Sequence, residues 1–247
     1  MHRRSLVVPI LVACAFVALL IAGLFVTNAN TIDDIAWKGD PVPPCFVNAA
    51  LCGGHLLGTD EVGRDLVARI VTGARVTLGV SFLAALLTLA SAAILAALAR
   101  FGGPVVRFFV TRLGVGVSSM PAWLFLVALV DVGASVRAHM ALSWTMLAVV
   151  TAAIFWPKMV ALLGSAPASV PVVNRFLRDW ASIILTLSTI EFFGYGTMPP
   201  DASWGNMLSS MEATLQTGWW AGVFPGICIF VTVLALRAIA RYSFASD

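Results

Sequence analysis

The stretch ARVTLGVSFLAALLTLASAAILAAL, residues 74–98, decides the fold. Apart from Arg75 near its start it carries no charge, and the next ionisable residue is Arg100. About 20 apolar residues suffice for a helix to cross a hydrocarbon core roughly 30 Å thick. The apolar positions run continuously instead of alternating, which is not the pattern of a barrel strand. Lipid offers no partner to backbone N–H and C=O groups, so such a run must be a helix.

Outward from this segment, residues 5–26, 108–130, 141–156, 180–195 and 219–236 are similar runs. Pro121 is expected to kink the third of the six spans. The whole chain is 60% hydrophobic and only 11% charged, with a mean hydropathy of +0.96. Soluble domains carry about 25% charged residues, so lipid must cover much of this surface. The expected fold class is an all-α integral membrane protein with about six transmembrane helices. Its expected parts are a first helix (1–27), an outer loop with an interfacial helix (28–73) and a five-helix core (74–247).

Lys and Arg divide unevenly between the two sides. Arg3, Arg4, Arg100, Arg107, Arg112, Lys158, Arg175, Arg178, Arg237 and Arg241 fall on one side, which reads as cytoplasmic. Both termini then lie inside, as an even number of spans requires. Cys14 after Leu11-Val12-Ala13 resembles a lipoprotein cleavage site, but the apolar run continues past it, so an uncleaved helix is expected.

The long outer loop begins irregularly, with Pro41, Pro43, Pro44 and Gly53-Gly54. From Glu61 the spacing of Val62, Leu66, Val67, Ile70 and Val71 suggests a short amphipathic helix on the outer interface. Cys45 and Cys52 lie in this loop, where an oxidising compartment would favour a disulfide. A helical 45–52 would instead hold the sulfurs about two turns apart. Trp204, Trp219 and Trp220 suit the headgroup level. Scattered histidines and cysteines offer no metal site, no Gly-x-x-x-x-Gly-Lys loop binds ATP, and no catalytic group or cofactor is expected.

The segment His55-Leu-Leu-Gly58-Thr59-Asp60-Glu-Val-Gly63-Arg64-Asp65, followed by Arg69, Gly73 and Arg75, resembles the signature entering the second helix of peptide/nickel ABC importer permeases. Phe101-Gly102-Gly103, Met120-Pro121-Ala122, Pro199-Pro200-Asp-Ala-Ser203-Trp204-Gly205 and Phe224-Pro225-Gly226 resemble later landmarks of the same family. The resemblance implies an inner-membrane permease subunit of a bacterium, without chemistry of its own. Its implied partners are a sister permease, cytoplasmic ATPases, an extracytoplasmic solute-binding protein and membrane lipid, with no nucleic acid. The signature residues would then form a docking surface or vestibule. A solvated interfacial helix with charges paired at i,i+4 or i,i+5 is the alternative.

Pathway candidates are Ser118, Ser119, Pro121 and Glu191, the acid within a span. An intramembrane carboxylate is costly and so a functional candidate, although Glu191 is close enough to the outer end to snorkel. The small residues around Gly114 and Gly116 permit either a pore lining or close helix packing.

Two features depart from the family on the cytoplasmic face. Pro157-Lys-Met-Val-Ala-Leu-Leu-Gly-Ser-Ala-Pro-Ala-Ser-Val-Pro171 lacks the Glu-Ala-Ala of the family's coupling helix. The acidic tail is replaced by Arg237-Ala-Ile-Ala-Arg-Tyr. With Gly164, Pro167 and Pro171, Lys158 to Arg178 is expected to form at most one broken turn before the fifth helix starts near Arg178 or Trp180, leaving Leu163, Gly164 and Ser165 as doubtful ATPase contacts. A degenerate or regulatory subunit unable to couple to an ATPase is therefore the alternative function. A membrane enzyme would need a polar constellation inside the spans, and only Glu191 is available.

Overall fold

The computed structural model describes residues 29–31, 40–119, 121, 124, 144–165, 169–197, 200–211 and 216–242. The expected first helix with Cys14 and most of the third span beyond Ser119 lie outside the described residues.

Among the described residues the structure is helical, with one isolated bridge between Thr59 and Asp65 and no strand. The helices are α1 (Leu66–Phe101), α2 (Gly103–Ser119), α3 (Trp144–Ser165), α4 (Ser169–Phe192), α5 (Trp204–Ser209) and α6 (Trp220–Tyr242). Two stretches, Leu66–Phe101 and Trp220–Arg241, are long and apolar enough to cross a membrane, and Leu147–Ala161 is a shorter apolar helix.

Several boundaries differ from those expected. No separate interfacial helix follows Glu61: the chain turns there and then runs as α1 from Leu66 through Phe101 without a break. Asp65 explains the start, since its Oδ1 accepts from the N–H of Ala68 at 2.8 Å and caps the first turn. α2 is described as far as Ser119, so the kink expected at Pro121 falls outside the described helix.

The largest correction concerns residues 158–178, expected as one broken turn. Lys158 to Ser165 continue α3, and α4 begins at Ser169, well before Trp180. Pro171 sits in the first turn of α4, where a proline removes no intrahelical hydrogen bond. Arg175 and Asp179 then pair at i,i+4 on the same helix. Apolar length sets how much of a helix lipid can cover, while polar residues such as Lys158, Arg175 and Arg178 extend the helix beyond it.

The structure divides into two compact units. One is drawn from Val80–Thr186 and Val233–Asp247. Within it, Gly114 is buried against α3, and a Cβ there would lie 3.4 Å from Pro157 Cβ and 3.5 Å from the Trp156 ring. Gly114 is therefore a packing residue, whereas Gly116 faces open space. Trp180 of α4 donates from Nε1 to Ser81 Oγ of α1 at 3.0 Å, and Phe82 meets the same indole edge-on at 5.0 Å. Gly103, at φ +82°, makes the turn from α1 into α2 without Cβ strain. Phe101, Phe108, Phe109 and Leu113 are all more than half exposed. Water would not tolerate so much apolar surface, and lipid or another subunit would.

The second unit is drawn from Ile10–Gly79 and Leu187–Thr232. Its core gathers Leu66, Ile70, Ala202, Met207, Trp220 and Ala221, with Leu57, Phe224 and Cys228 against it.

Candidate functional site

The signature segment is folded by hydrogen bonds to itself and to the core of the second unit. Thr59 is wholly buried, its N–H donating to Val42 O at 3.0 Å and its Oγ1 accepting from Val42 N at 2.8 Å. Its carbonyl accepts from Trp220 Nε1 at 3.0 Å. Gly58 makes this fit possible: its φ is +82°, and a Cβ would stand 2.5 Å from Val42 O. His55 Nδ1 lies 2.8 Å from Asp65 Oδ2, so Asp65 holds His55 with one oxygen and caps α1 with the other.

Asp60 is the electrostatic centre. It is buried, and its Oδ2 accepts from Arg64 Nε at 2.7 Å and faces Arg69 Nε at 3.2 Å. Its Oδ1 accepts from the N–H groups of Val62 and Arg64, which shapes the turn entering α1. Arg69, also buried, donates from Nη1 to Pro200 O at 3.3 Å and to Asn30 Oδ1 at 3.2 Å. One carboxylate thus balances two guanidinium groups, and Arg69 ties the segment to the loop before α5.

That loop is fixed with equal care. Ser203 caps α5 in a reciprocal box with Asn206, whose Nδ2 also donates to Thr197 O and Asp201 O. Trp204 is 1% exposed, donating from Nε1 to Ile70 O at 2.9 Å and from its backbone N–H to Thr77 Oγ1 at 3.0 Å. Gly73 lies beneath it, where a Cβ would come 3.3 Å from Trp204 Cδ1.

A hollow of about 190 Å³ remains between these parts, lined by Asp60, Glu61, Arg69, Glu191, Asn206 and Ser210 among others. Glu191 is buried and does not snorkel: its Oε1 accepts from Thr197 Oγ1 at 2.8 Å. Gly205 packs on its carboxylate so closely that a Cβ would lie 2.6 Å from Oε2. Glu61 has one carboxylate oxygen, Oε2, buried without a hydrogen-bond partner. Burial, together with the neighbouring Asp60 charge, holds its pKa above the usual carboxylate range.

No family model matches the chain. It is 29% identical over 209 residues to the di/tripeptide transport system permease protein DppC of Pseudomonas aeruginosa, covering 74% of this chain and 68% of the relative. It is 30% identical over 206 residues to the dipeptide transport system permease protein DppC of Escherichia coli, covering 74% and 69%. The chain belongs to the DppC family of transport permeases.

In this DppC-family permease the sequence candidates therefore divide by position. Thr59, Asp60, Gly63, Arg69, Gly73, Ser203, Trp204 and Gly205 are buried and Gly58 is enclosed, so these are the parts that hold the two loops together. Arg75 and Pro200 are exposed, while His55, Arg64 and Asp65 are half-buried. Trp204 and Trp220 do not sit free at headgroup level, since burial and paired N–H groups make them core, and only Trp219 is exposed. Ser118, Ser119 and Pro121 are exposed on this chain. Leu163, Gly164 and Ser165 close α3. Cys45 and Cys52 are joined, with their Cα atoms 4.8 Å apart, because the chain turns at 45–47 instead of running helically to Cys52.

Glu61 and Asn206 were not singled out in the sequence. Asn206 was legible, since Ser203-x-x-Asn206 has the spacing of a capping box. Glu61 left no signal beyond its place beside Asp60.

Proposed function

We propose that this permease is one half of the pore of an ATP-driven importer for peptides or a related small solute. Membership of the DppC family carries this reading, and the relatives' names supply the peptide. The half-pore works with a sister permease, two cytoplasmic ATPases and an extracytoplasmic binding protein. In this reading the chain crosses a bacterial inner membrane six times, with both termini inside. It contributes no catalytic residue, and ATP hydrolysis belongs to the ATPases.

The buried network gives the outer loops one shape. A binding protein needs such a preformed surface, because any shape change it drives must come from contacts that differ between two states. The exposed rim, Pro200 with the half-buried His55 and Arg64, is the proposed contact. The hollow over Glu61 and Glu191 is the proposed polar part of the vestibule.

The helical course of α3 to Ser165 and of α4 from Ser169 favours an engaged subunit over a degenerate one. Two helices meeting across a short connection can press on an ATPase as a stiff element, which a tether cannot do. Cysteines at Leu163 in the assembled complex are expected to crosslink to an ATPase subunit in a nucleotide-sensitive way. Silence there in an actively transporting complex would return the chain to the degenerate class. Uptake of a labelled dipeptide by cells expressing the full system, and its loss when this chain is deleted, tests the substrate class. Unchanged uptake would reject it.

A further inference from the structure

The first unit holds a second polar concavity, of about 470 Å³, unrelated to the peptide vestibule. Three helices supply its charges: Lys158 from α3, Arg175 and Arg178 from α4, and Arg237 and Arg241 from α6. Five cations face one acid, Asp179, which is buried. Arg175 already occupies that acid, donating from Nε to Oδ2 at 2.8 Å and from Nη2 to Oδ1. Lys158, Arg178, Arg237 and Arg241 are exposed and pair with no carboxylate among the described residues.

Such an arrangement is unfavourable by itself. Four like charges around one hollow repel, and among the described residues only the buried Asp179, already held by Arg175, partly offsets them. An anion with several oxygens would remove the repulsion and use the forked guanidinium donors. The helix faces leading away from the hollow are apolar and open. Leu185 lies two turns beyond Arg178 on α4 and is 39% exposed, and Leu234 lies one turn before Arg237 on α6 and is 50% exposed. A phosphate seated among the cations would therefore have greasy surface beside it on two helices.

We propose that this concavity binds the phosphodiester headgroup of an anionic phospholipid, with the acyl chains lying along Leu185 and Leu234. Basic residues concentrate on the cytoplasmic side of membrane proteins, where anionic lipid is met. A free phosphate shares the headgroup chemistry but would make no use of the apolar flanks.

The full chain, purified in detergent and stripped of lipid, is offered phosphatidylglycerol and phosphatidylcholine of the same acyl length, and bound lipid is counted by native mass spectrometry. Phosphatidylglycerol is expected to be retained preferentially. The double variant Arg237→Gln/Arg241→Gln should weaken its binding by about fivefold for each charge removed. Arg237→Lys/Arg241→Lys should restore most of it. Arg100→Gln/Arg107→Gln, which removes two exposed cations elsewhere, should leave it unchanged. Equal loss in both Gln pairs, or no preference over phosphatidylcholine, overturns the site. Complete displacement by millimolar inorganic phosphate would make it a free-phosphate site and also overturn the proposal. So would a Gln pair that keeps its lipid but no longer co-purifies with the ATPases, because the cations would then be a protein contact.

Discussion

Trp204 and Ile70 are joined by a 2.9 Å hydrogen bond from the indole N–H of one to the carbonyl of the other, across 134 positions of sequence. The bond fixes the start of α5 to the first turns of α1 at a point closed to water. Trp204→Ala removes both the bond and a fully buried ring, and is expected to cost about 3–5 kcal/mol. Trp204→Phe keeps most of the volume and should cost about 1 kcal/mol more than a pure packing change, from the lost bond. Thermal unfolding of the detergent-solubilised protein, followed by size-exclusion chromatography, checks the order of the two.

Asp60 is expected to be less replaceable than the other described acids of its segment. Asp60→Ala takes from Arg64 and Arg69 the one carboxylate that pairs directly with both guanidinium groups. Breaking a buried ion pair in this way costs about 3–5 kcal/mol. Simultaneous replacement of Arg69 by Met should recover part of the loss, and a double-mutant cycle on unfolding midpoints measures the coupling.

Gly58 and Gly54 both have positive φ, yet their alanine variants should differ. At Gly54 a Cβ meets open space, so only the backbone preference opposes it, at about 1 kcal/mol. At Gly58 the Cβ would also strike Val42 O and the Trp220 indole. Gly58→Ala should therefore destabilise distinctly more, and fall in yield of folded protein should follow the same order.

Glu61 makes a prediction about pH. Its folded-state pKa lies above the usual value, because burial and the Asp60 charge disfavour the ionised form. The folded protein then holds this proton more tightly than the unfolded chain does. Glu61 accordingly stabilises least at high pH: stability falls as pH rises from the ordinary carboxylate range through the raised folded pKa. Glu61→Gln should flatten that part of the curve and raise stability at neutral pH. Unfolding midpoints across pH 4 to 8 test it, and an unchanged slope would count against the burial of this carboxylate.

The disulfide between Cys45 and Cys52 closes a short loop, worth about 2–3 kcal/mol on the chain-entropy model. Non-reducing alkylation and mass spectrometry should find these two thiols blocked and Cys228 free. Reduction should loosen residues 45–56, seen as faster amide exchange there, with Thr59 and its partners unaffected.

The presence of helices was legible in the sequence because long uncharged runs leave the backbone few alternatives. Their ends were not. Residues 158–165 and 169–179 are helical although they hold Lys158, Arg175, Arg178 and Asp179, since charged side chains extend a helix beyond lipid as readily as apolar ones fill it. The signature segment was recognisable from its spelling, but its burial was not. Asp60 and Arg69 look solvated in a sequence, and only the fold shows that they neutralise each other. Trp204 has the same ambiguity, because an indole suits an interface and a core equally well. Glu191 was noticed for its charge, while the reason it tolerates burial, Thr197 as donor and Gly205 as a gap for its carboxylate, lies in residues with no unusual composition.

The length of α1 has a bearing on how the chain enters a bilayer. Its 36 residues at 1.5 Å each make a rod of about 54 Å, against a hydrocarbon core of roughly 30 Å. Several turns must therefore stand clear of the hydrocarbon or be accommodated by tilt. The uncharged run begins only after Arg75, so the surplus falls at the Leu66 end, where Arg69 and its ion pair reside. The insertion machinery would meet a segment already favourable on its own, with no guanidinium at the bilayer centre, where each would oppose insertion by about 2.5–3.5 kcal/mol. Partitioning of this helix can thus precede assembly of the Asp60 network, and the charged turns can find their partners afterwards in water.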